Sequence, residues 1–219
     1  MAEFPPEVNH ELSGWVLWWA DLELQAGHDE ALAALRASVA ARARASLALE
    51  RLAEHPTASA VRKLFRRADC DPTRYRPSSE ALLRRVLKGE VLPQIHSLVD
   101  LNNCLSVELV VPSCVMGLGA AQPPFVLRAG RAGEHMISLR GPFDLVGKPL
   151  LADAAGPFGT PITDSERARV GAGTSRAWLV AYLPEGVVDV APAQAMAMSL
   201  LAEAPVARVV ATATTRAVA

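Results

Sequence analysis

Three cysteines, Cys70, Cys104 and Cys114, are all that 219 residues carry, an odd number at wide spacing with no CxxC pair. That shortage excludes a disulfide framework and a thiolate zinc site. No HExxH run offers a helix-borne metal site either, so no metal and no cofactor are expected. Net charge is only −1, which argues against a protein that coats nucleic acid. No apolar run approaches the roughly 20 residues of a bilayer-spanning helix. Met1 to Glu11 lacks the basic-then-apolar order of a secretion signal. No membrane partner is expected, and the location implied is cytoplasmic. There is no linker long enough to separate independent domains and no internal repeat, so residues 1–219 read as a single domain.

What is present is a globular balance of 51 % hydrophobic and 21 % charged residues, much of the former alanine. The segment Trp15 to Leu24 is aromatic and β-branched enough for a strand. Asp29 is placed to cap an alanine-rich helix with Leu32, Leu35, Val39, Leu47 and Leu52 at roughly helical spacing, which the pattern extends to about His55. Thr57 is a candidate cap for a short helix carrying Val61, Leu64 and Phe65. The stretch from Asp69 to Pro77 is a loop, since its prolines forbid a continuous helix. Ser78 caps a helix that Gly89 closes in the left-handed region. Pro93 is placed to open the next helix, with Ile95, Leu98, Val99, Asn102 and Leu105 on one stripe. After Pro112, glycine and proline become frequent. Short apolar runs at 125–127, 136–139, 149–152, 177–183 and 207–212 read as strands, with one more helix over 189–204. A helical first half and a strand-rich second half predict an α+β fold.

Charge is unevenly spread. Residues 60–90 carry nine basic side chains against four acidic ones. Within that stretch Arg66, Arg67, Arg74 and Arg76 are candidate RNA-binding residues, with solvated helix faces as the competing reading.

The run RYRPSSEALLRRVLKGEVLPQIHSLVDLNNCLSVELVVP (residues 74–112) resembles the editing domain, B3/B4, of the phenylalanyl-tRNA synthetase β subunit, with Leu98-Val99-Asp100, Asn103 and Pro112 at its marked positions. A second run, 151–184, resembles the later part of free-standing relatives through Asp153, Gly156, Thr163-Asp164-Ser165, Arg167 and Thr174. Between them Arg128, Gly133 and Glu134 match a strand and turn. The match covers about 60–187, leaving a strand and long helix in 1–59 and a helix and strand in 188–219. The resemblance implies a sandwich-like β core flanked by helices.

In the synthetase this domain hydrolyses tyrosine wrongly attached to the phenylalanine tRNA. Its pocket uses a Thr-Asn pair, a proline with a histidine shortly after it, a glycine-rich turn, and a late glutamate. Carried over, these fall on Asn102, Asn103, Pro112, Cys114, Gly159 (loosely) and the neighbourhood of Val180. Asn103 and Cys114 are the candidate catalytic residues; all six are candidate substrate contacts. The histidine and glutamate positions hold residues that cannot do their work, so two functions stand side by side. One is a domain that binds an amino acid or aminoacyl-tRNA and deacylates mischarged tRNA in trans. The other is a non-catalytic RNA- or small-molecule-binding module. Length excludes aminoacylation itself. Cys114 has the competing role of a small buried hydrophobe, Asn102 and Asn103 of helix-internal polar groups, and Asp153, Asp164 and Glu166 of solvated loop carboxylates. His96 is the best placed histidine to activate Cys114.

Overall fold

Alternation along WVLWWADLEL organises the molecule. Successive side chains of a strand point to opposite faces, and here both faces are apolar, so the strand must lie between two layers. In the computed structural model, which describes residues 3–217, it does. Met1 and Ala2, in the stretch read for a secretion signal, and Val218 and Ala219, at the chain's end, lie outside the described residues.

The chain runs β1 (Val8–His10), β2 (Trp15–Leu24), α1 (Asp29–Ser46), a 3-10 helix (Leu49–Glu54), α2 (Pro56–Arg67), α3 (Ser78–Leu87), α4 (Ser97–Leu109), β3 (Ser113–Gly117), β4 (Phe125–Ala129), β5 (His135–Ser138), β6 (Gly141–Asp144), β7 (Pro149–Asp153), β8 (Gly156–Gly159), a 3-10 turn (Glu166–Ala168), β9 (Arg176–Pro184), α5 (Val190–Glu203) and β10 (Ala207–Arg216). One antiparallel sheet has the order β10-β2-β9-β3 and the other β1-β4-β7-β8, with β1 parallel to β4; β5 and β6 form a hairpin. The fold is α+β.

Val16, Trp18, Ala20 and Leu22 of β2 share one core with Leu35, Leu83, Leu98, Leu105 and Leu200 from the helices. Trp15, Leu17 and Trp19 share the other with Phe125, Leu127, Leu151 and Phe158 of the second sheet and with Phe65 of α2. The layers are therefore helices, sheet, sheet. Among the described residues no helix is long and apolar enough to cross a membrane.

Three local expectations are corrected. The long helix stops at Ser46, with Leu47 extended, rather than reaching His55. Leu52 follows Leu47 by five residues, which in a continuous helix would turn it about 140° off the apolar stripe; the break and the 3-10 helix bury it instead. The helix expected from Pro93 begins only at Ser97, capped by His96. Ile95 is therefore outside it and 65 % exposed, while Leu98 is fully buried. The helices α1, α2 and α3 are preceded by His28, His55 and Pro77, and no side chain caps them. Gly89 closes α3 at φ +90°, as its position predicts.

Candidate functional site

β3 is an edge strand paired only with β9, and that pairing sets the site. Pro112 accepts a hydrogen bond from the Tyr182 amide (2.9 Å), and Cys114 lies directly opposite Val180. The two positions that align with the synthetase's histidine and glutamate are thus cross-strand neighbours. Both side chains point into the sandwich layer, with Tyr182. From the facing sheet, Gly159 ends β8 close enough that an added Cβ would sit 3.5 Å from Asp164 Oδ1 and 3.8 Å from Cys114 Sγ. Gly159 and Asp164 also pair backbone to backbone across the turn between them. Threonine chemistry holds that turn: Thr160 Oγ1 donates to the Thr163 carbonyl (2.8 Å) and accepts from the Ile162 and Thr163 amides (3.1 and 2.9 Å). The Thr160 amide donates to Thr163 as well, so the amide donors that a glycine turn offers are already used.

Asp164 is the unusual group. Its carboxyl faces Cys114 and makes no ion pair with any described residue. Burial pushes it up to about 7, and the neighbouring Cys114 thiol opposes that rise. Burial and the Asp164 charge push Cys114 well above the ordinary thiol value. Tyr182, whose hydroxyl lies 3.9 Å from Cys114 Sγ, is pushed up too, by burial first and then by Cys114 and Asp164. Cys114 is therefore a protonated thiol and not a nucleophile. Asp164 is the member of the trio that exchanges a proton near neutrality, the property expected of a general base or acid. Sequence reasoning took it for a solvated loop group. Its one mark in the sequence was its place in the Thr163-Asp164-Ser165 block.

The asparagines sit differently. Asn102 Nδ2 donates to the Ser113 carbonyl (3.2 Å), and Ser113 Oγ donates back to the Asn102 carbonyl (3.2 Å) and exchanges a hydrogen bond with Ser106 (2.9 Å). Ser113 faces the helical layer, the opposite side of β3 from Cys114. Asn102 thus braces the outer edge of β3, with its Oδ1 buried and unpartnered. Asn103 is half-buried, and its side chain has no hydrogen-bond partner among the described residues. The structure brings Pro112, Cys114, Gly159 and Val180 together, adds Asp164 and Tyr182, and leaves Asn102 across the strand.

Other residues of the resembling blocks are structural. Arg128 forks onto Glu134 (2.8 and 2.5 Å), and Arg167 onto Asp153 (3.0 and 3.0 Å). Asp100 accepts from Arg36 (2.9 Å) and from the Ile95 amide (2.9 Å). His96 accepts the Leu98 amide through Nδ1 as the α4 cap, and does not face Cys114. Among the described residues no three metal-ligating side chains cluster.

The basic stretch divides into paired and unpaired residues. Arg62 and Arg84 both bind the buried Glu80 (2.8 and 3.0 Å), and Arg85 pairs with Glu90. Arg66, Arg67, Arg74 and Arg76 are exposed, with no ion pair among the described residues. Arg66 and Arg67 end α2; the loop that carries Arg74 and Arg76 is fixed through Tyr75, whose ring lies beneath Lys148 Nζ (3.9 Å) and edge-on to Phe143. The Ser78 amide donates to the Pro161 carbonyl (2.9 Å). The arginine loop and the Asp164 turn are therefore joined directly.

The family model described as "B3/4 domain" matches residues 60–218, beyond the expected 187 and through β10. Among solved structures, an N-terminal fragment of the phenylalanyl-tRNA synthetase β subunit from Pyrococcus horikoshii is similar at 14 % identity and a TM-score of 0.46. The match covers 94 % of this chain and 50 % of that one, so the chain spans half the length of the fragment. No curated protein matches.

Proposed function

Since this chain belongs to the B3/4 domain family, we propose that it binds the aminoacyl end of a charged tRNA in the cytoplasm and hydrolyses a wrongly attached amino acid in trans. The observation that carries this reading is Asp164, a carboxyl titrating near 7 without a cation, on a turn bonded to a loop of unpaired arginines. Phosphates held by Arg74 and Arg76 would place the ester at the 3′ end of the RNA near that carboxyl.

In the proposed step, ionised Asp164 takes a proton from a water attacking the ester carbonyl. The tetrahedral oxyanion then collapses, the bond to the ribose oxygen breaks, and that oxygen recovers the proton. The products are the free amino acid and the uncharged tRNA.

One observation favours the non-catalytic alternative: the histidine and glutamate positions hold a protonated thiol and Val180. Under that reading, mischarged tRNA is bound and its ester persists. Ester loss from mischarged tRNA, followed alongside binding, separates the two.

The RNA half of the proposal is tested by changing Arg66, Arg67, Arg74 and Arg76 together to alanine. For every phosphate that the variant no longer neutralises, the slope of log affinity against log salt should fall by about one. All four residues are exposed, so the melting temperature should hardly move. An unchanged slope would return them to the role of solvated surface charge.

A further inference from the structure

We infer that the helical layer carries a second binding site, for a small zwitterion of the α-amino-acid class, remote from the Asp164 turn. A pocket of about 250 Å³ opens between α1, the chain entering α2, and the end of α4, lined by Arg42, Ala43, Ser46, Leu47, His55, Val107 and Glu108. Its chemistry is mixed in a particular way. Arg42 Nε donates to Glu108 (2.7 Å) and one Nη to Ser38 (2.7 Å), while its other Nη has no hydrogen-bond partner among the described residues. His55 Nδ1 is buried without a partner. Burial also lowers the His55 pKa, which favours the neutral ring. Leu47, Ala43 and Val107 supply an apolar wall.

The charge pattern selects the ligand. A lone anion would be attracted by Arg42 but repelled by Glu108 and by Glu203, whose carboxylate lies 3.9 Å from the same guanidinium, and a lone cation would be attracted by the carboxylates but repelled by Arg42. An apolar molecule would desolvate the ion pair without replacing its water. A zwitterion answers both charges: its carboxylate takes the unused Arg42 Nη, and its ammonium donates to Glu108, with the His55 ring alongside. The volume admits the side chain of a small amino acid against Val107 and Leu47. No part of this rests on the editing proposal.

The test is titration of the full chain with glycine, L-alanine and L-valine, with acetate and ethylammonium as controls, read by the ¹⁵N shift of His55 Nδ1 and the methyl shifts of Leu47 and Val107. The amino acids should move all three signals saturably, and each control should fail. Arg42→Gln and Glu108→Gln should each weaken binding by about tenfold or more, because each removes a charge-assisted contact. Ser46→Leu, an exposed change at the rim that fills the pocket without touching the ion pair, should abolish binding and keeps the test valid if either charge variant unfolds. No shift up to the solubility limit, or equal shifts with acetate or ethylammonium alone, would overturn the assignment.

Discussion

Asp164→Asn is expected to slow ester hydrolysis by about 10²–10⁴-fold, the range for losing a positioned general base, while making the protein more stable above neutral pH. The two effects have one cause. The folded carboxyl holds its proton up to about 7, whereas the unfolded one releases it near the ordinary carboxylate value of about 4. Between those values the folded state binds more protons than the unfolded state. Asp164's contribution to stability is therefore full below about pH 4, falls as pH rises, and is lost above about 7. Asparagine cannot ionise and escapes that loss. At pH 8 the variant should gain on the order of 2 kcal/mol, allowing for the residue's partial exposure. At pH 4 the two proteins should differ little. Activity runs the other way, rising as pH passes through about 7 and the base forms. Denaturant melts at both pH values and a pH–rate profile check this. A wild-type profile flat from pH 5 to 9, or a variant as active as the parent, would remove Asp164 from the mechanism.

Trp178→Ala should cost about 3–5 kcal/mol, the range for truncating a buried aromatic. Trp178 is 2 % exposed on β9 and meets Phe4, Trp19 and Phe125 with ring centroids 5.8, 6.4 and 6.1 Å away. It joins the two sheets at the level of the site, opposite Met116 of β3. Its indole N–H is buried without an acceptor, so Trp178→Phe should cost much less: that change keeps aromatic packing and removes an unsatisfied donor. Urea unfolding of the three proteins gives the comparison. Equal losses for alanine and phenylalanine would mean that the indole's bulk alone holds the sheets.

Much of the fold was legible because its strongest elements announce themselves locally. β2 has tryptophans on both faces, β9 a continuous apolar run, and α3 a glycine at its close. β8 could not be read: GPFG holds two glycines and a proline, and only pairing with β7 makes it a strand. β3 begins on a serine directly after Pro112 and takes its direction from β9. Ile95 was misplaced because the pattern of apolar spacing does not reveal that Asp100 accepts the Ile95 amide and turns that residue outward.

The site divides the same way. Pro112, Cys114, Gly159 and Val180 came from resemblance, and they meet. Asn102 came from the same source and braces the edge of β3 instead. Asp164 was undervalued because its proton affinity depends on burial against Cys114 and Tyr182, which lie 50 and 18 residues away in the chain. No local pattern encodes that. Nor does sequence separate Arg62 and Arg84, consumed by Glu80, from the unpaired arginines beside them.

The most direct measurement is the half-life of the ester in tyrosyl- and phenylalanyl-tRNA, each mixed with the purified chain at pH 8 and sampled by acid precipitation. Cys114 and Val180 are buried and apolar where the related domain offers a histidine and a glutamate, so a phenolic hydroxyl finds no matching partner from them. A site without such groups separates tyrosine from phenylalanine poorly. Both esters should be lost faster than in buffer, at rates within about tenfold of each other, and Asp164→Asn should restore the buffer half-life. An ester that survives as long with the protein as without it would contradict the account.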